Sequence, residues 1–130
     1  MTTANKISEF LNQREIAVVG ASRNLAKYGN IIFKKLLAAG YLAYPVNPAA
    51  SSIDGHPVYP NLASLPESVR AAVVVVPPVV SEIIAPQTIA AGFRHIWFQP
   101  GAESRAAISV LEAAGINVIY GTCLLVRVYP

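Results

Sequence analysis

The sequence is poor in charged residues and in cysteine. Only 13% of its 130 residues are charged, about half the ~25% of an ordinary soluble domain, while 54% are hydrophobic. A surface with so few charges leaves apolar area exposed, so a homodimer is predicted. The single cysteine, Cys123, excludes an internal disulfide and favours a reducing, cytoplasmic environment.

Long apolar runs and a large net charge are also missing. No hydrophobic run approaches the ~20 residues of a membrane span, and the first ten residues lack the apolar core of a signal peptide. We therefore predict a soluble protein that binds no membrane. The net charge of +3 is too small to predict nucleic-acid binding. Four of the ten basic residues nevertheless lie in one stretch without Asp or Glu, which predicts a small anionic ligand: Arg23, Lys27, Lys34 and Lys35.

Strand and helix patterns alternate along the chain. Strands are predicted over 15–20, 42–47, 71–76, 95–99 and 117–120, with a short edge strand at 57–59, and helices over 7–11, 28–39, 79–91 and 103–114. The strand at 42–47 contains Pro45, which must lie at a bulge, a strand end or an unpaired position. Pro86 is predicted to kink or split its helix. The tail at 124–129 is either a further strand or an oligomer contact.

This alternation predicts one domain over 1–130, with α/β architecture. Strands that are apolar on both faces belong inside a mostly parallel, doubly wound Rossmann-like sheet with helices on both faces. Ligands bind such a sheet at the carboxyl ends of its strands. That rule selects the segments that follow the strands ending near Gly20, Asn47, Val76 and Gln99.

The segment after the first strand is the most informative of the four. Gly20 leads into a loop and then a helix, whose free N–H groups suit a phosphate. Ser22 and Asn24 can donate hydrogen bonds, and Arg23 and Lys27 add full charges. Gly20 and Gly29 are expected to let the ligand approach the backbone closely. In the alternative interpretation, Ser22 or Asn24 merely caps the helix.

The type of nucleotide is indicated by what the loop and the second strand lack. The loop does not have the G-x-G-x-x-G spacing of dinucleotide enzymes, and Asn47 stands where such enzymes usually carry an acid for the ribose. A neutral amide does not repel an additional phosphate. These features favour coenzyme A, with its 3′-phosphate, over NAD, which remains the alternative as the ligand of a redox sensor.

These segments resemble the family of small stand-alone coenzyme A-binding domains, which are similar to the nucleotide-binding domain of the succinyl-CoA synthetase α subunit. The resemblance covers about 14–124. It is carried by the sequences Val19-Gly20-Ala21-Ser22-Arg23-Asn24, Lys27-Tyr28-Gly29, Tyr44-Pro45-Val46-Asn47-Pro48, Leu65-Pro66, Val73 to Val76, Ile96 to Ala102, and Cys123. The chain departs from the family in its apolar Pro77-Pro78-Val79-Val80 segment. It also departs around Cys123, where the context is Gly121-Thr122 without the Arg expected in many relatives.

The resemblance implies a site for coenzyme A or an acyl-CoA. Its diphosphate would be held by Gly20, Ala21, Ser22 and Arg23, and a phosphate by Lys27. Asn47 would contact the ribose or adenine, and Val76 with Pro77 would pack against the adenine. Tyr28, Val46 and Gln99 complete the predicted cofactor site.

No catalytic set can be assembled from the sequence. His56 and His95 have no partner nearby in sequence, Asp54 lies in a turn, and Cys123 is predicted to be a small buried residue, although it could face the coenzyme A thiol. The two histidines and one cysteine have no metal-site spacing. We therefore predict a non-catalytic binding module. A further alternative is the nucleotide-binding half of a split acyl-CoA ligase whose catalytic subunit is separate.

Overall fold

The computed structural model of the protein describes residues 2–128. Its helices are α1 (Thr3–Leu11), α2 (Tyr28–Ala38), α3 (Pro78–Ala90) and α4 (Arg105–Ala113). Its strands are β1 (Glu15–Val19), β2 (Leu42–Val46), β3 (Ser52–Ile53), β4 (His56–Pro57), β5 (Ala71–Val74), β6 (His95–Phe98) and β7 (Asn117–Ile119). Two 3₁₀ turns lie at Leu62–Ser64 and Leu124–Val126.

Five of the strands form one parallel sheet in the order β2-β1-β5-β6-β7, and β3 and β4 form a separate antiparallel hairpin. The predicted doubly wound α/β fold is confirmed. From β1 the chain moves outward to β2 and then crosses back to β5 on the other side of β1. The strand order therefore reverses between β1 and β5, and a ligand is expected at the carboxyl ends of these two strands.

The sheet is covered on both faces, which is why its strands are almost continuously apolar. On one face Phe10 of α1 and Phe33 of α2 join a buried cluster with Val18 and Trp97. On the other face the cluster includes Val19, Val74 and Phe98 of the strands and buried residues of α3 and α4, among them Ala85 and Leu111. None of the helices within residues 2–128 has the length and apolarity needed to cross a membrane.

Pro45 lies in β2 at the edge of the sheet. Its carbonyl accepts a hydrogen bond from the backbone N–H of Tyr59 (2.9 Å) on the outer side, while the neighbouring Val46 carbonyl accepts from Gly20 N (3.1 Å) on the β1 side. The N–H that Pro45 lacks would point outward, so its absence removes no bond to β1. Of the predicted edge strand at 57–59, Pro57 belongs to β4 of the hairpin and Tyr59 forms an isolated bridge with Val46.

In each of two local predictions, one of the alternatives is wrong. Pro86 does not split its helix, because α3 continues through it as one element with the exposed Pro86 ring between the buried Ala85 and Thr88. The tail does not form a strand, because Leu124 is buried and its carbonyl accepts hydrogen bonds from Arg127 N and Val128 N, which close a 3₁₀ turn. Residue 129 of the predicted tail lies outside the described residues.

Candidate functional site

Two glycines fix how the loop after β1 joins α2. Gly20 has a φ of +96°, and a Cβ there would overlap the backbone carbonyl of Val75, just beyond β5. A Cβ on Gly29 would overlap the carbonyl of Gly20 itself. Both glycines line the cleft described below, so their close approach to a ligand stays a prediction. Their nearest neighbours in the protein are mainly backbone atoms. The two glycines let β1, β5 and α2 meet at one point.

The helix is not capped by Ser22 or Asn24. Ser22 Oγ accepts a hydrogen bond from Asn24 N (3.0 Å), and Asn24 Oδ1 accepts one from Ala26 N (3.0 Å), so both side chains form turns within the loop. Lys27 occupies the N-cap position without a side-chain cap bond. Within the described residues the N–H groups of Tyr28 and Gly29 have no acceptor. The start of α2 therefore keeps its partial positive charge for an anion.

Those N–H groups border a cleft of 470 Å³, called here the α2 cleft. It is lined by Gly20, Ser22, Ala26, Lys27, Tyr28, Gly29, Asn47 and Val75. The exposed Lys27 adds a full positive charge at its rim. Its size and polarity suit a phosphate or diphosphate.

A second cleft of 330 Å³ adjoins the first and is mostly apolar. This apolar cleft is lined by Val19, Gly20, Val46, Asn47, Pro48, Pro60, Leu62, Val76, Val80, Ile83, Ile84 and Gln87. It shares Gly20 and Asn47 with the α2 cleft. Branched aliphatic side chains and prolines suit the flat face of a nucleobase.

A third cleft of 260 Å³ lies over the ends of β5 and β6. This Gln99 cleft is lined by Tyr28, Val75, Val76, Pro77, Gln99, Pro100, Gly101 and Ala102. It shares Tyr28 and Val75 with the α2 cleft and Val76 with the apolar cleft. Among the described residues that line the three clefts, none is Asp or Glu. The three form a continuous surface at the switch point of the sheet.

Most of the predicted cofactor-site residues come together on this surface. Nine of them line at least one of the three clefts: Gly20, Ser22, Lys27, Tyr28, Val46, Asn47, Val76, Pro77 and Gln99. Ala21 is fully buried and Arg23 is exposed, and neither lines a cleft.

Two predicted ligand-binding amides are already engaged by the protein. Asn47 Nδ2 donates to the Ala21 carbonyl (2.8 Å), and its Oδ1 accepts from Ala49 N (2.8 Å). Gln99 Nε2 lies 2.9 Å from Cys123 Sγ, and its Oε1 accepts from Leu124 N (2.9 Å). Both side chains thus hold loops at the rim of the clefts.

Sequence reasoning missed the wall of the apolar cleft. Pro60 and Leu62 come from the long connection after β2, and Val80, Ile83 and Ile84 come from α3. The exposed Ile83, with 60% of its surface accessible, was a usable signal because a large apolar side chain on a helix surface needs a reason. The apolar 77–80 segment, noted as a departure, forms part of this wall and of the Gln99 cleft.

None of the weighed catalytic candidates lines the three clefts. Asp54 and His56 lie together in the β3–β4 hairpin, and Cys123 is partly exposed rather than buried as predicted. His56 packs edge-on against Phe33 (5.3 Å between ring centroids), and Asp54 forms an exposed ion pair with Lys34 (3.3 Å). His95 begins β6, at the opposite end of the sheet, where burial lowers the pKa of its imidazole. Within residues 2–128 no three His, Cys, Asp or Glu side chains are close enough to hold a metal ion.

A larger cleft adjoins the apolar cleft, with which it shares Leu62 and Gln87, and lies between the 3₁₀ turn at Leu62–Ser64 and the end of α3. It measures 490 Å³ and is lined by Asn61, Leu62, Ala63, Leu65, Pro66, Glu67, Val69, Gln87, Ala90, Ala91 and Phe93. It includes neither a strand end of the parallel sheet nor a helix start, and it has a carboxylate in its wall. The three connected clefts are therefore the stronger candidate for a phosphate-bearing ligand.

Comparison with known proteins identifies the family. Residues 14–129 match the family of CoA binding domains, to which this chain belongs. It is 31% identical over 119 residues to the ADP-forming acetate–CoA ligase I of Archaeoglobus fulgidus, covering 84% of this chain and 17% of that ligase. It is 29% identical over 130 residues to the α subunit of the ADP-forming acetate–CoA ligase II of Pyrococcus furiosus, covering 88% and 28% respectively.

A solved structure of a conserved hypothetical protein from Pyrococcus furiosus has the same fold. It is 47% identical, superposes with a TM-score of 0.84, and covers 88% of this chain and 98% of its own. The chain thus matches nearly the whole length of this small protein. It spans less than a third of either curated ligase.

Proposed function

We propose that this protein binds coenzyme A or an acyl-CoA across the three connected clefts. The observation that carries the proposal is the junction of two unlike clefts at Gly20 and Asn47, one beside a free helix start and the other apolar. A nucleotide is divided in the same way, with charged phosphates that match the first cleft and a flat base that matches the second. The family match to CoA binding domains supports coenzyme A as that nucleotide.

Each cleft is assigned one part of the ligand. The diphosphate lies in the α2 cleft, where Tyr28 N–H, Gly29 N–H and the Lys27 ammonium face it. The adenine lies in the apolar cleft between Val46, Val76 and Ile83. The remaining arm of the ligand passes along the Gln99 cleft, past Tyr28.

The protein acts in this proposal as a binding module without a reaction of its own. The positions of His56, His95 and Asp54, described above, support this role, since none of them lines the three clefts. The NAD alternative receives no support from the family match.

A second candidate function is the nucleotide-binding part of a larger ligase. The similarity to the α subunit of a Pyrococcus furiosus acetate–CoA ligase favours it, because that relative is one subunit of a ligase. Co-purification of a separate catalytic subunit is the expected result for this candidate. A homo-oligomer that contains no other chain is the result expected for a stand-alone module.

Thermal unfolding in parallel samples with coenzyme A, dephospho-coenzyme A, acetyl-CoA, NAD and NADP tests the ligand. A ligand at 100 times its Kd stabilises the folded state by about 2.7 kcal/mol, which raises the melting temperature measurably. We expect a rise with coenzyme A and acetyl-CoA. A rise with NAD alone, or with none of the five, would refute the proposal.

A further inference from the structure

The peptide that joins Ser22 to Arg23 is held from inside the protein by an asparagine. Asn30, in the first turn of α2, is 2% exposed, and its Nδ2 donates to the Ser22 carbonyl at 2.8 Å. It shares a helix face with Phe33 and Leu37, so it is a polar residue on the apolar side of α2. Burying an amide costs free energy unless its hydrogen bonds are made, and the bond to the Ser22 carbonyl reduces that cost for Asn30.

The contact sets the direction of a neighbouring N–H group. In a trans peptide the C=O and the following N–H point in opposite directions. The Ser22 carbonyl points inward to the buried Asn30, so the N–H of Arg23 points outward from the loop. Within the described residues this N–H has no acceptor. The preceding peptide is fixed as well, since Asn47 binds the Ala21 carbonyl.

We propose that Asn30 is a positioning residue for the diphosphate of the bound ligand. By holding the Ser22 carbonyl away from the ligand, it removes a partial negative charge from the site. The Arg23 side chain lines no cleft, but its backbone N–H belongs to the same peptide as the carbonyl of Ser22, which lines the α2 cleft, and is left free for a phosphate oxygen. Asn30 itself lines none of the three clefts, so it acts only through the loop. This inference rests on the function proposed above.

The test compares coenzyme A with adenosine, which has the base and ribose but no phosphate. Both are titrated into ¹⁵N-labelled wild-type protein and the Asn30→Ala variant. With the loop peptide released, we expect the Kd for coenzyme A to rise about tenfold, the effect of one lost hydrogen bond to a charged group. The Kd for adenosine should stay within about twofold, because its site is the apolar cleft. The shift of the Arg23 amide on adding coenzyme A should shrink.

Asn117→Ala is the matched control. Asn117 Nδ2 also donates to a backbone carbonyl, that of Lys6 (3.0 Å), but at the opposite end of the sheet. This variant should lose stability and keep its affinity for coenzyme A. Asn30→Ser, with a shorter side chain, replaces Asn30→Ala if the alanine variant does not fold.

The outcomes separate the two proposals. A folded Asn30 variant that binds coenzyme A as the wild type does, or that loses adenosine and coenzyme A affinity equally, would overturn the positioning role and leave the proposed function standing. Failure of the wild-type protein itself to bind coenzyme A would overturn the proposed function and this inference with it.

Discussion

Gly29 lies against the carbonyl group of Gly20, so close that a Cβ atom on residue 29 would overlap the carbonyl oxygen. This contact seats the start of α2 directly on the end of β1. The α2 cleft is formed at that junction, because both glycines line it together with Lys27. The site therefore depends on a backbone contact as much as on its charged side chains.

Replacing Gly29 by Ala should destabilise the protein, although Ala is the better helix former. The clash with Gly20 must be relieved by a shift of α2, at a cost of about 1–3 kcal/mol. Urea unfolding measures the loss, and titration with coenzyme A should show weaker binding. Gly115→Ala is the control, since its φ is +79° and its Cβ meets nothing within 4 Å. It should cost about 1–2 kcal/mol and leave binding unchanged. Unchanged binding in Gly29→Ala would contradict the assignment.

Lys27→Ala should weaken coenzyme A binding by about tenfold, a typical effect of removing a hydrogen bond to a charged partner. Calorimetric titration at 50 and 500 mM salt should show that the variant is less sensitive to salt than the wild type. Lys34→Ala removes the same charge from a position further along α2, but Lys34 pairs with Asp54. The two variants must differ in affinity if the phosphate contact is local. Equal losses would indicate only general attraction to a basic surface.

Ile83→Ser should weaken binding of coenzyme A and of adenosine alike, because it makes the wall of the apolar cleft polar. Ile83 is 60% exposed, so the stability of the free protein should change by less than about 0.5 kcal/mol. Ile89→Ser on the same helix is the control, since Ile89 lines none of the three clefts. Titration of both variants with adenosine measures the difference. If the Ile83 variant bound adenosine with wild-type affinity, this would contradict the placement of the base in the apolar cleft.

Sequence patterns were sufficient to predict the sheet, the loop after β1 and the position of Lys27 beside the cleft. Apolar periodicity reflects burial on two faces, and glycine at the end of β1 reflects backbone geometry, so both are local signals. Leu62 and Ile83 could not be brought together from the sequence, because the path of the long connection after β2 depends on tertiary packing. The same limit applies to Asn47, whose amide partner at Ala21 lies 26 residues away.

Stability should fall as the pH decreases below about 6.5. Burial lowers the pKa of His95 from its ordinary value of 6.5, an effect that Glu9 opposes and Arg94 reinforces. The unfolded chain therefore binds more protons than the folded protein between 6.5 and the lower folded pKa, and protonation favours unfolding. Urea unfolding between pH 7.5 and 5.5 measures this slope. His95→Gln should flatten it. A flat wild-type profile would show that His95 does not titrate as described.

The most direct test of the proposed function is a ¹H–¹⁵N spectrum of the labelled protein titrated with coenzyme A. The assignment predicts saturable shifts of the amides of Ser22, Tyr28 and Gly29 at the start of α2, and of Val76 and Ile83 in the apolar cleft. Shifts confined to the larger cleft around Ala63 and Phe93, or no shifts at all, would contradict it.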